Sequence, residues 1–195
     1  MLLTASNPTT DPNREVIAVG ESWESILRRC RLGDCEAQQQ LYGRCQHSVF
    51  RLVARMVGRG DAEDVSQQVF LNVFRLLDQF QFQSSFKTWV YRIAVNESLQ
   101  HLRRRRRWRW APLTGDVMDR EPEPERQLDH KELMEQALAQ LEPELRSLFL
   151  LREVEKLSYA EIAESLQIPE GTVASRLNRA RQLLKERLVA LGWEA

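Results

Sequence analysis

No run of about eighteen apolar residues occurs in this 195-residue chain, so no stretch of it reads as a membrane-spanning helix. The start, MLLTASNPTTDPNREV, has no basic segment followed by an apolar one, which leaves no basis for a secretory signal. The expectation is a cytoplasmic protein without membrane insertion. Cysteine is scarce: Cys30, Cys35 and Cys45 are an odd number in a chain without an export signal, which suggests reduced thiols rather than a disulfide framework. With His47 they can be drawn as C-x4-C-x9-C-x-H, but the spacing matches no compact zinc knuckle, and Cys30 and Cys45 fall on apolar stripes where cysteine packs as a small core residue. No metal and no cofactor are expected, although a metal or redox sensor built on these thiols remains an alternative. With eight glycines there is no phosphate-cradling glycine loop, and the three histidines form no constellation with carboxylates on one identifiable face. No catalytic residue is assigned, and the chain is not expected to be an enzyme.

Net charge is also lacking, with 28 basic residues against 28 acidic ones. That average hides segregation. His101 to Trp110 carries six arginines and no acid, whereas Asp116 to Glu135 carries eight acids against three Lys or Arg. The basic stretch suits a polyanion, and the acidic one could screen it.

What is present is helical periodicity. The informative stretch is Leu157 to Leu188. Ser158 and Glu161 form an S-x-x-E capping box that starts a helix at Tyr159, with Ile162, Ala163 and Leu166 as its apolar stripe. Pro169 cannot continue that helix but can open the next, near Pro169 or Glu170. From there Val173, Leu177, Ala180, Leu184 and Leu188 recur on one face, while Thr172, Ser175, Arg176, Arg179 and Gln182 fall on the other. Two short helices around a tight turn match a helix-turn-helix whose second helix enters a major groove. Hydroxyls near the helix start would meet bases, and arginines would meet phosphates. An ordinary amphipathic hairpin with solvated arginines fits the same spacing. Gln167 stands where such turns often carry glycine.

Upstream, residues 1–20 read as a polar tail, and helices are expected from Ser22, from Cys35 to about Val57, from Asp61 to about Phe80 and from Phe86 to about Arg106. Gly33 and then Asp34 read as a stop and an N-cap, and Asp61 as another N-cap. The second of these helices is expected to bury Ala37, Leu41, Tyr42, Cys45, Val49, Phe50, Val53 and Met56. The third has an apolar stripe wide enough for a core and a partner, or for a core alone. On the fourth helix and the loop before it, aromatics alternate with arginine, as single-stranded bases require, although Trp89 could equally be core. Residues 108–127, rich in proline and acid, read as a flexible linker of roughly 25 Å r.m.s. reach. A helix from Leu128, one from Pro143 and the helix-turn-helix would make a four-helix C-terminal module spanning 128–192. The expected fold is therefore all-α: two small helical modules, 21–107 and 128–192, joined by a flexible linker.

Residues 24–107 and 128–188 resemble the bacterial RNA polymerase sigma factors of the extracytoplasmic-function (ECF) group. The resemblance rests on Gly33-Asp34, DAEDVSQQVF (Asp61 to Phe70), SFKTWVYRIAVNESLQHLRR (Ser85 to Arg104) and LEPELRSLFLLREVEKLSYAEIAESLQIPEGTVASRLNRARQLL (Leu141 to Leu184), within which GTVASRLNRAR is especially characteristic. The resemblance implies that the chain binds core RNA polymerase and directs promoter-specific initiation. Asp61, Asp64, Gln67, Phe70 and Val73 would meet the beta-prime clamp helices, and the C-terminal module the beta flap. Phe82, Lys87, Trp89, Arg92, Asn96, Arg103 and Arg104 would take the minus-ten element of promoter DNA. Thr172, Ser175, Arg176, Arg179 and Lys185 would read the minus-thirty-five element. An anti-sigma factor is the further partner implied. Gln68 departs from the Glu or Asp usual at its position. The rival reading is a helix-turn-helix regulator that recruits no polymerase.

Overall fold

The computed structural model describes residues 21–110 and 129–193, so the expected tail and most of the expected linker lie outside the described residues. Among the described residues there are eight α-helices, one 3-10 turn and no strand. The N-terminal module contains α1 (Trp23–Arg31), α2 (Cys35–Val57), α3 (Arg59–Leu76), the turn Leu77–Gln79 and α4 (Phe86–Trp110). The C-terminal module contains α5 (His130–Ala139), α6 (Pro143–Glu153), α7 (Tyr159–Leu166) and α8 (Glu170–Ala190).

Local chemistry explains most of these boundaries. Ser22 caps α1 by accepting the Ser25 N–H, and Gly33, at φ 82°, reverses the chain in a backbone region that only glycine occupies without strain. Asp34 then caps α2 through the N–H groups of Glu36 and Ala37. Arg29 holds the Asp34 carboxyl below the ordinary carboxylate range, helped by these backbone donors. The Ser85 hydroxyl closes the first turn of α4 by accepting the Thr88 N–H at 3.0 Å. In the C-terminal module Asp129 with Glu132 and Ser158 with Glu161 form complete capping boxes, and Pro143 opens α6.

Four boundary or burial expectations need correction. Asp61 does not cap α3, which starts two residues earlier at Arg59 without a side-chain cap. The carboxylate is instead drawn to α4, where it meets His101 Nε2 and Arg105 Nη1, each at 3.0 Å. Helix α4 continues through Trp110, so residues 108–110 of the expected linker are helical. The α5 cap is Asp129, and its helix begins at His130 rather than Leu128. Tyr42 and Phe50 of α2 are 44% and 46% exposed, because they line an open groove beside α3 rather than the core.

Helix α2 packs along α1, α3 and α4, so it forms the axis of the first module. Leu41, Val49, Leu52, Val53 and Met56 of α2 are buried with Val65, Val69 and Val73 of α3 and Tyr91, Ala94 and Val95 of α4. In the second module α8 lies across α5, α6 and α7. The modules are not separate. Helix α7 packs on α4, and α5 and α6 pack on α2, so that buried apolar side chains of both modules make one contiguous cluster.

Candidate nucleic-acid interface

The turn between α7 and α8 is built without glycine. Gln167 takes the left-handed conformation, φ 53° and ψ 45°, and the chain then hydrogen-bonds back from the Ile168 N–H to the Ala163 carbonyl at 3.0 Å. Val173, Leu177, Ala180 and Leu184 are buried, which fixes the rotation of α8 and turns Ser175, Arg176, Arg179 and Lys185 to solvent. Thr172 is half-buried, and its carbonyl accepts from the Ser175 hydroxyl at 3.0 Å. Arg176, Arg179 and Lys185 make no ion pair with any described residue, whereas Arg181 is held by Glu153 at 2.6 Å. Ser175, Arg176 and Arg179 are thus together on one exposed face with Thr172 half-buried at its edge, whereas Lys185, about two and a half turns beyond Arg176, is exposed on another side of the helix. Arg181 instead ties α8 to α6.

The second candidate surface, around the loop before α4, is arranged differently from the expectation. Trp89 is only 6% exposed, with its ring centroid 5.4 Å from Phe80 and 5.6 Å from Phe86. It is an internal ring of an aromatic cluster and cannot serve as a platform for a base. Phe82 remains half-buried at the edge of that cluster, 4.9 Å from Phe80, on a left-handed backbone at φ 57°. Sequence reasoning missed Arg31, which donates to the carbonyls of Leu77 and Phe80 and places its guanidinium 5.7 Å from the Phe82 ring. No sequence signal could have paired it, because its partners lie 46 to 51 positions away. Lys87 and Asn96 are exposed and Arg92 half-exposed, so these polar groups and the Phe82 edge carry what this surface offers. Arg103 and Arg104 are exposed at the far end of α4, with Arg103 3.5 Å from Glu144 and Arg104 donating to Gln100 at 3.1 Å.

Between α2 and α3 lies a groove of about 680 Å³, lined by Tyr42, Phe50, Gln67, Phe70, Leu71 and Phe74 among others. Tyr42 and Phe70 meet at 4.6 Å between centroids, and Leu71 is 58% exposed, so the groove has an apolar floor and rim. Gln67 lines it, and Asp64 is exposed on the same helix. Val73 is fully buried and lies in the core instead. Asp61 sits at the start of α3 in its pairing with His101 and Arg105. The exposed rings of Tyr42 and Phe50 look like helical core in sequence, since period alone cannot tell a covered flank from an open one.

The two modules are joined by polar groups at long sequence distance. Glu155, buried at 6% exposure, accepts from Arg51 Nη2 at 2.9 Å and from the Tyr91 hydroxyl. Burial raises the Tyr91 hydroxyl pKa far above its ordinary value, and the adjacent carboxylate adds to the rise. Glu161, already part of its capping box, also accepts from the Thr88 hydroxyl at 3.1 Å. Burial pushes its carboxyl up, but hydrogen bonds from the Ser158 hydroxyl and N–H and from Thr88 outweigh that and leave it below the ordinary range. Cys30 and Cys45 are core side chains and Cys35 is exposed; burial pushes the Cys45 thiol up to about 12, which keeps it protonated.

Fold and surfaces together define an all-helical, two-module protein with a helix-turn-helix reading head. Residues 41–108 match the family "Sigma-70 region 2", and residues 131–184 match "Sigma-70, region 4". The RNA polymerase sigma-H factor of Pseudomonas aeruginosa is 35% identical over 192 residues, covering 90% of this chain and 98% of the relative. The ECF RNA polymerase sigma-E factor of Escherichia coli K12 is 36% identical over 182 residues, covering 85% of this chain and 94% of the relative. The solved sigma factor RpoE of Bartonella quintana, in complex with the anti-sigma factor NepR, superposes with a TM-score of 0.62 at 24% identity, over 77% of this chain and 95% of that one, a likeness of fold. The chain belongs to the sigma-70 family, in its ECF group, whose members bind core RNA polymerase and direct promoter-specific initiation of transcription.

Proposed function

We propose that this sigma factor divides its work among three surfaces, and that it performs no bond chemistry of its own. The α2/α3 groove, with Gln67 and Phe70 in it and Asp64 beside it, receives the beta-prime clamp helices, while the C-terminal module meets the beta flap. Phe82, Lys87, Arg92 and Asn96 contact the opened minus-ten element, with Arg103 and Arg104 attracting its phosphates. Thr172, Ser175, Arg176 and Arg179 read the minus-thirty-five element, and Lys185 contacts its backbone. The observation that carries this reading is that α8 presents cations free of ion pairs with the described residues on one chain with an open apolar groove. Each feature is costly in an isolated protein and useful at an interface. The site of action is the cytoplasm, where polymerase is. No helix among the described residues is long and apolar enough to cross a membrane.

The same surfaces suit control by an anti-sigma factor. The Bartonella quintana relative was solved with one, and the α2/α3 groove is a face that such a protein would cover.

Purified chain mixed with core polymerase should co-migrate with it and support run-off transcription from a subset of genomic promoters. Failure to co-migrate without any inhibitor present would sink the assignment. Arg176→Ala should change preference in the upstream promoter element, whereas Lys185→Ala should weaken binding to all sequences alike and reduce the salt slope by about one. An equal loss on every sequence for both variants contradicts the division between reading and backbone contact.

A further inference from the structure

Helix α1 carries three arginines in its last turn, and they are used differently. Arg28 pairs with Glu24 one turn back, and Arg29 pairs with Glu21 and with Asp34 of the next helix cap, so both stay with their own element and its turn. Arg31 turns away from them. Its Nη2 is shared between the carbonyls of Leu77 and Phe80, 3.1 Å from the first, in the segment that joins α3 to α4. Its guanidinium carbon lies over the Phe82 ring, 5.7 Å from the centroid, within the range of a cation–π contact. Asp78 stands 4.0 Å from the Arg31 Nε but is 84% exposed, so that pair contributes little.

Those carbonyls and that ring define the loop before α4. The Leu77 carbonyl closes the 3-10 turn by accepting the Phe80 N–H at 3.2 Å, and Phe80 is buried against Phe82, Phe86 and Trp89. Two positions on, Phe82 takes φ 57°, a backbone region in which a residue other than glycine needs support from its surroundings. The exit of the loop has its own fixing, because the Ser85 hydroxyl accepts the Thr88 N–H at 3.0 Å. Across the tip, Gln83 donates to Gln81 at 3.2 Å, but that contact is exposed to water. The Arg31 guanidinium thus joins the end of α3, the entry of the loop and its tip through one group.

We infer that Arg31 is a positioning residue for promoter opening: it holds the loop before α4, and with it the edge of Phe82, in the form that receives an unstacked base of the minus-ten element. This role rests on the proposed use of that loop and adds to it the group that holds the loop ready. A loop ordered before DNA arrives loses less conformational freedom on capture, so the effect falls on opening rather than on docking to polymerase or to duplex. Lysine is no substitute. Its compact ammonium lacks the flat face and the fork with which Arg31 meets ring and carbonyls together.

The test is a kinetic split, with the full-length chain and core polymerase on a promoter selected by run-off transcription from genomic fragments. Arg31→Ala should leave co-migration with polymerase and closed-complex affinity within about twofold, and should slow open-complex formation, followed by permanganate reactivity of unpaired thymines, at least fivefold. Arg31→Lys should remain within about twofold of Arg31→Ala. Phe82→Ala should also slow opening, and the double variant should be no slower than the slower single one, because Arg31 acts through the Phe82 loop. Salt dependence should be that of the unaltered chain. Circular dichroism confirms that each variant is folded. Opening at the normal rate in Arg31→Ala, or full recovery in Arg31→Lys, overturns the inference and leaves the use of the loop standing. Equal losses in closed-complex affinity and in opening rate reduce Arg31 to a structural residue and overturn it too. Additive losses in the double variant, with a salt slope lowered by about one, mean that Arg31 meets a phosphate itself, which also overturns it. If Phe82→Ala opens promoters normally, the proposed use of the loop fails, and the role of Arg31 fails with it.

Discussion

Gln67 and Val73 share α3 but not a surface, and the difference gives two unlike mutants. Val73 is fully enclosed, so Val73→Ala should lower unfolding stability by about 2 kcal/mol, through lost burial and the cavity left behind. Polymerase affinity of the fraction that stays folded should be unchanged. Gln67 is exposed at the groove, and Gln67→Ala should leave the melting temperature within a degree or two yet weaken association with core polymerase. Thermal melts and a polymerase co-migration titration separate the two effects. If Val73→Ala weakens docking without lowering stability, the placement of that side chain in the core is wrong. Trp89 carries the same lesson: its type suggested base stacking, but Phe80 and Phe86 enclose it, and enclosure depends on chain segments that periodicity does not bring together.

At the scale of the element, most of the architecture was legible. Asp34, Ser158 with Glu161, and Pro143 announce helix starts because each satisfies or tolerates backbone groups orphaned at a helix end, which is a local matter. Asp61 was misread for the complementary reason. Its place before a helical run has the form of a cap, but the charge finds His101 and Arg105 forty and more residues on. The helix-turn-helix tests this local chemistry directly. Gln167 holds a left-handed backbone at φ 53°, where an L side chain costs roughly 1–2 kcal/mol, partly returned by the extra freedom glycine has when unfolded. Gln167→Gly should thus stabilise the protein by about 0.5–1 kcal/mol, read from the urea midpoint at constant slope. A lower midpoint would mean that the Gln167 side chain makes a contact outweighing its strain.

For the whole molecule the decisive feature is the docking of α5, α6 and α7 on α2 and α4, held by Glu155 with Arg51 and Tyr91 and by Glu161 with Thr88. Glu155→Gln keeps the shape but removes the charge, and should weaken docking by on the order of 1–3 kcal/mol. Small-angle scattering would then report a larger radius of gyration than for the unaltered chain. The sign with pH follows from the two shifted groups. Burial pushes the Glu161 carboxyl up, but its own capping box with Ser158 outweighs that and leaves it depressed, so its contribution is to the C-terminal module itself, present above roughly pH 4.3 and lost as the pH falls through its folded value. Tyr91 is raised, so its contribution is complete below roughly pH 10 and is lost as the pH rises beyond that. The docked form should be fully populated up to about pH 9, with the radius growing as the pH rises beyond that. A radius that is constant from about pH 7 to 11 would remove the Tyr91 contact from the account.

Sequence alone determined the helices, the two-module division and the face of α8 that looks outward, because caps, prolines and apolar period act over a few residues and each is written where it acts. Tertiary structure decided which aromatic rings are walls and which are surface, where Asp61 spends its charge, and that Glu155 bridges two modules. Those outcomes depend on which distant segments arrive beside a side chain and exclude water from it, and no short-range pattern encodes that.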